Sequence, residues 1–142
     1  MRIREILQTK GSAVITITPD ASVRDLVVLL KEHNLGAVVV SSDGVSIDGI
    51  ISERDVVRSL ATDAAVLSAA VSEVMTAGVR TSHVNDSVES LMSTMTDHHI
   101  RHLPIVDDDG KLSGIISIGD VVKSTITQLE FERDQLQGYV SG

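Results

Sequence analysis

The sequence predicts an α+β fold in which one strand-helix-strand-strand-helix unit occurs twice and the two copies pack about a pseudo-two-fold axis. Three observations carry this expectation. Val23 and Val88, Leu26 and Leu91, His33 and His98, Gly49 and Gly114, Ser52 and Ser117, and Asp55 and Asp120 are matched pairs separated by 65 positions (88 − 23, 120 − 55), and a fixed internal period marks a duplicated unit. Within each copy the apolar period changes in the same order, strand-like, then helical, then strand-like again. Each copy also closes on Gly-Ile-Ile-Ser-x-x-Asp, at Gly49 to Asp55 and at Gly114 to Asp120. A unit of this size cannot bury a sheet face alone, so the copies are expected to cover each other.

The elements come in order. Ile3-Arg4-Glu5-Ile6-Leu7 is echoed by Val71-Ser72-Glu73-Val74-Met75, which suggests a short docking turn ahead of each unit. Val14-Ile15-Thr16-Ile17 is short and β-branched, a strand closed by Pro19, with Asp20 positioned to cap the helix after it. Val23, Leu26, Val27 and Leu30 recur at helical spacing, as do Val88, Leu91, Met92 and Met95. Asn34 and Gly36 stop the first of these helices, and strands over 37–41 and 47–52 then form a hairpin around Asp43-Gly44. A second helix runs from Ser52 to about Leu60. Its counterpart from Ser117 continues to about Gln137, because Val121, Val122, Ile126, Leu129 and Leu136 keep near-helical spacing. The expected division is a first repeat at 1–62, a connector at 63–70, a second repeat at 71–125 and a helical extension at 126–142.

Composition narrows the function classes. Twenty acidic against twelve basic residues give a net charge of −8, a field that repels phosphate backbones, so no nucleic-acid partner is expected. With no Trp, one Tyr and one Phe, a bound base would have to lie against aliphatic side chains. Zero cysteines remove disulfides and thiol catalysis and suit a reducing compartment. No apolar run reaches the ~20 residues of a membrane span, and the start carries no signal-peptide pattern. A cytoplasmic protein with no membrane partner is the expectation.

The chemistry concentrates in the two turns. Ser52 and Asp55, and Ser117 and Asp120, put a hydroxyl and a carboxylate at a strand-to-helix junction, where a carboxylate can accept both hydroxyls of a ribose and helix amides face anionic oxygen. The same Ser-x-x-Asp spacing is also a helix-capping arrangement, and taken alone the capping reading is the commoner one.

Together with Thr18-Pro19-Asp20-Ala21-Ser22-Val23 and Arg101-His102-Leu103-Pro104-Ile105-Val106-Asp107, the turns resemble the CBS domain family in its tandem form, the Bateman module. The resemblance spans nearly the whole chain. It implies a regulatory module that binds AMP, ADP, ATP, NAD(H) or S-adenosylmethionine in clefts between the repeats, with AMP the first candidate. By that resemblance Asp55 and Asp120 would hold ribose hydroxyls, Ser52 and Ser117 would touch ribose or phosphate, and Ile50 and Ile115 would lie against adenine. Arg101 and His102 would reach phosphate, where a forked cation suits the task, and Arg54 could approach it. The first copy reads Gly36-Ala37-Val38-Val39 at the equivalent place, without a cation and without the family's common proline, so two unequal sites are expected, the Asp120 site the stronger.

Other readings are weaker. His98, His99 and His102, with His83, invite a metal, but the segment runs from a helix end into a strand and keeps no helical i, i+4 geometry. The chain has no nucleophile elbow, Walker loop or dinucleotide fingerprint, so no enzyme and no catalytic cofactor are expected. The competing function is a ligand-free dimerisation or adaptor scaffold, for which Leu129, Phe131, Leu136 and Tyr139 offer apolar surface. In either case the resemblance implies a homodimer, and output in trans on an unknown protein target is expected.

Overall fold

The computed structural model describes residues 1–11 and 13–141. Helix α1 (Ile3–Lys10) precedes the first unit, which runs β1 (Thr16–Ile17), α2 (Val23–His33), β2 (Ala37–Val40), β3 (Gly49–Ser52) and α3 (Glu53–Thr62). A 3-10 turn at Ala64–Ser68 and the single-turn α4 (Val71–Val74) lead into β4 (Ser82–His83), α5 (Val88–His98), β5 (His102–Val106), β6 (Leu112–Ser117) and α6 (Ile118–Ser141). The element order of the two units is the same, and each forms a three-stranded sheet. The first strand of each unit lies parallel to the second, and the second antiparallel to the third.

Local chemistry explains the boundaries. Ser22 Oγ accepts from the Asp25 amide at 3.0 Å, and Ser87 Oγ from the Ser90 amide at 3.1 Å, so serines cap α2 and α5. Asp20 does not take that role, because the turn after Pro19 carries the chain two residues further before the helix begins. Asn34 and His99 end these helices in the left-handed region, at φ 53° and 54°, which lets the chain turn back into the central strand. The opening strand is shorter than its β-branched run suggested. Only Thr16 and Ile17 find partners, Val39 and Val40.

The core is divided between the sheets and stitched across them. Ile3 and Ile6 of α1 are buried with Leu91, Met95, Leu103, Ile105, Ile116 and Val121 of the second unit. Val71 of α4 is buried with Val23, Leu26, Val38, Val40 and Ile51 of the first. Each docking helix thus fills the core of the unit it does not introduce. Backbone bonds fix the exchange: the Ile3 amide donates to Asp86 at 3.0 Å and Val88 to Met1 at 3.0 Å, while Val71 donates to Ala21 at 2.8 Å and Val23 to Ala69 at 2.9 Å. β2 is buried along its whole length, as a central strand covered on both faces should be.

Candidate functional site

At the start of α3, Ser52 and Asp55 form a reciprocal cap. Asp55 Oδ2 accepts from the Ser52 amide at 2.9 Å and the Ser52 hydroxyl at 3.0 Å, and Ser52 Oγ accepts from the Asp55 amide at 3.3 Å. At the start of α6, Asp120 Oδ2 accepts from the Ser117 amide at 2.9 Å, and Ser117 Oγ from the Asp120 amide at 3.1 Å. Both turns therefore cap helices. Capping does not exhaust them, because it uses only Oδ2. Asp55 Oδ1 makes no hydrogen bond among the described residues, and a ribose needs such an acceptor.

The Asp55 turn opens onto a cleft of about 290 Å³ between the units. Ile50, Ser52, Arg54 and Asp55 line one side, and Arg101 and His102 of the second unit line the other. Arg58, one helical turn beyond Arg54, and Glu53 also line the cleft. Three guanidiniums against two carboxylates make this cleft locally basic within an acidic chain, a local field suited to phosphate. A second hollow of about 290 Å³ shares Ile50, Thr76, Ile100 and His102 with it and continues to Val79, Arg80 and His98.

Thr76, which lines the cleft, pairs with the edge of β3. Its amide donates to the Ile50 carbonyl at 2.9 Å, and the Ile50 amide donates back at 3.0 Å. Gly49 makes the approach possible, since a Cβ there would lie 2.6 Å from Met75 Sδ and 2.8 Å from the Thr76 carbonyl oxygen. Thr76, Ile100 and Arg58 were not singled out in the sequence. Only Arg58 carried a signal, its i+4 spacing from Arg54 on one helix face.

The Asp120 turn is built differently. Lys10, from the end of α1, places Nζ 2.8 Å from Asp120 Oδ2 and 2.6 Å from the Ile115 carbonyl oxygen. The ammonium bonds the carbonyl that, in the other copy, receives the Thr76 amide. Burial is the largest single influence on Asp120 and works against its charge, but Lys10 and the Ser117 bonds outweigh it and hold the carboxyl below its ordinary range. Ile115 and Ser117 stand on β6 next to this ion pair, away from the Asp55 cleft.

The structure changes how the two turns relate to the second unit's cations. Arg101 and His102 belong to the repeat of Asp120, yet they line the cleft of Asp55. The Arg101 carbonyl accepts from the Ile118 amide at 2.8 Å, which ties its backbone to its own unit at the pseudo-two-fold interface. His102 lies close to Gly36, where a Cβ would meet Nε2 at 3.3 Å. Burial first, then the charge of Lys10, lowers its pKa, with Glu53 and Asp120 opposing. Among the described residues no group of His, Asp or Glu is placed to hold a metal ion, and His83 is instead paired with Asp108 at 2.7 Å.

The CBS domain family matches this sequence twice, over residues 3–62 and 71–126. The chain belongs to the CBS-domain family. Among relatives of this CBS-domain pair, the mitochondrial CBS domain-containing protein CBSX3 of Arabidopsis thaliana is 33% identical over 99% of this chain and 72% of its own length. The structure of the CBS-domain containing protein ATU1752 from Agrobacterium tumefaciens is similar at TM-score 0.83, with 41% identity over 88% of this chain and 99% of that one. CBS domain protein PAE2072 from Pyrobaculum aerophilum, complexed with AMP, superimposes at TM-score 0.75, with 27% identity over 84% of this chain and 89% of that one. No helix among the described residues is long and apolar enough to cross a membrane.

Proposed function

We propose that this CBS-domain pair is a regulatory sensor, without catalytic activity of its own, that binds an adenosine-containing nucleotide between its repeats and signals in trans to a protein target from a homodimer. One observation carries the reading: the Asp55 cleft joins a carboxylate oxygen free of capping duty to a lining that includes three arginines and the aliphatic side chains of Ile50 and Ile100. In it Asp55 accepts the ribose hydroxyls and Ser52 touches ribose or phosphate. Ile50 and Ile100 flank the base, and Arg54, Arg58, Arg101 and His102 face the phosphates. AMP is the first candidate, with ADP, ATP and NAD(H) next, and the AMP complex of PAE2072 supports that class. Asp120, Ser117 and Ile115 form the weaker second site, since a ligand there competes with Lys10. The cysteine-free sequence suits a reducing location such as the cytoplasm.

The alternative, a ligand-free scaffold, draws support from the fact that both Ser-x-x-Asp turns are complete helix caps. Calorimetry with AMP, ADP, ATP and NADH separates the two, with micromolar binding of at least one expected. Asp55→Ala and Asp120→Ala each remove a helix cap, and Asp120→Ala also releases Lys10, so the larger loss of thermal stability is expected from Asp120→Ala. Only Asp55→Ala should weaken the principal binding event, by about 10- to 150-fold, the equivalent of charge-assisted hydrogen bonds of roughly 1.5–3 kcal/mol. Failure to bind any adenosine ligand leaves the scaffold standing.

A further inference from the structure

Beyond Thr125, α6 departs from the body of the protein. Every residue from Ile126 to Val140 is exposed, a helical arm of about 22 Å at 1.5 Å per residue. An isolated helix of that length is marginal in water. The arm nevertheless carries an ordered apolar seam. Val122, Ile126, Leu129, Arg133, Leu136 and Val140 alternate spacings of four and three residues, the repeat of a two-stranded coiled coil. Their exposures run from 51% at Ile126 to 84% at Val140, with Arg133 at 62%. The seam lies about 100° round the helix from Val121, the α6 side chain buried in the second core.

The spacing of the seam reads the same from either end. Laid antiparallel on a second copy of itself, it sets Val122 against Val140, Ile126 against Leu136 and Leu129 against Arg133, with every position matched in both directions. That is the self-complementarity a two-fold interface requires. The single charged position decides the orientation. A parallel pairing stacks Arg133 on Arg133 of the second copy, whereas the antiparallel pairing brings it beside Glu130 and Glu132 of that copy. We propose that the α6 arms of two chains form an antiparallel coiled coil through this seam, with Arg133 fixing its register, and that this arm pair is the dimer contact. The pairing lays Tyr139 and Val140, the two most exposed apolar side chains, along the body end of the second copy's α6. The proposal rests on the homodimer reading above and adds its contact and its orientation.

Because the chain has no cysteine, a full-length Ile126→Cys/Leu136→Cys double variant reports orientation directly. Ten helical residues separate the two thiols by about 15 Å within one chain, too far for an internal disulfide, which needs Cα atoms within about 7 Å. After mild oxidation and trypsin cleavage at Lys123 and Arg133, mass spectrometry should find the peptide ending at Arg133 disulfide-linked to the peptide beginning at Asp134. Disulfides joining only identical peptides overturn the antiparallel register. A dimer by light scattering that forms no disulfide overturns the arm contact but leaves the homodimer reading in place, and a monomer removes both. In a second variant, Leu129→Glu/Leu136→Glu, circular dichroism should show the body still folded while the dimer dissociation constant rises at least tenfold. An unchanged constant overturns the proposal.

Discussion

Lys10 Nζ lies 2.8 Å from Asp120 and 2.6 Å from the Ile115 carbonyl oxygen, whereas Asp55 is bonded only within its own turn. Two turns that read alike therefore differ in what a ligand must displace. In Lys10→Ala, the Asp120 carboxyl should rise toward its ordinary range, measurable from its carboxylate carbon resonance against pH. The depressed pKa sets the sign of the linkage: Asp120 contributes stability above the unfolded carboxylate pKa and loses it as pH falls through the folded value. The variant should thus be less stable than the parent near neutrality and converge with it in acid. His102 carries the same sign of linkage, at higher pH. With its folded pKa lowered chiefly by burial, the unfolded chain binds the proton first as pH falls below about 6.5. Stability should rise with pH up to that point and flatten above it, and His102→Gln should reduce the slope seen in urea unfolding between pH 5.5 and 7.5. The hydroxyl and carboxylate of each turn were legible in the sequence from spacing alone. Lys10 was not, because it lies 110 residues from the carboxylate it holds. Arg101 faces the cleft opposite to the one its repeat suggests, because sequence groups residues by repeat while the pseudo-two-fold axis groups them by face.

At the scale of elements, Gly49 and Gly114 occupy matched positions against unmatched neighbours. An added Cβ at Gly49 meets the Thr76 carbonyl oxygen at 2.8 Å as well as Met75 Sδ at 2.6 Å, but at Gly114 it meets only the Leu7 side chain, at 2.6 Å. Backbone cannot yield as a leucine rotamer can. Gly49→Ala should cost about 1–3 kcal/mol, in the range of overpacked sites, and Gly114→Ala distinctly less, read as shifts of the urea midpoint. The helices over 23–33 and 88–98 were legible because buried residues recur every three or four positions, and the hairpins because turn residues interrupt apolar runs. The docking turns were legible only in part. Their five-residue echo concealed that α1 runs on to Lys10 before Gly11, at φ 102°, ends it, while the chain after α4 is drawn out so that Thr76 pairs with Ile50.

For the whole molecule, the exchange of α1 and α4 couples the two units. Ile3→Ala removes a side chain that is fully buried in the second unit's core and should destabilise the protein by about 2–5 kcal/mol. Hydrogen exchange should show lost protection first in β5 and β6, far along the chain from the substitution, with β2 and β3 less affected. The 65-residue period made the pseudo-symmetry legible, but a docking motif does not state which of two similar grooves it enters, so the exchange was visible only in three dimensions. Its consequence reaches back to synthesis. Ile3 and Ile6 are made more than a hundred residues ahead of Ile116 and Val121, which complete their seat. At about 5–20 residues per second, these side chains stay without a partner for on the order of ten seconds. During that interval α1 is a sticky segment in need of shelter, and β6, made long after it, is the strand that clasps it.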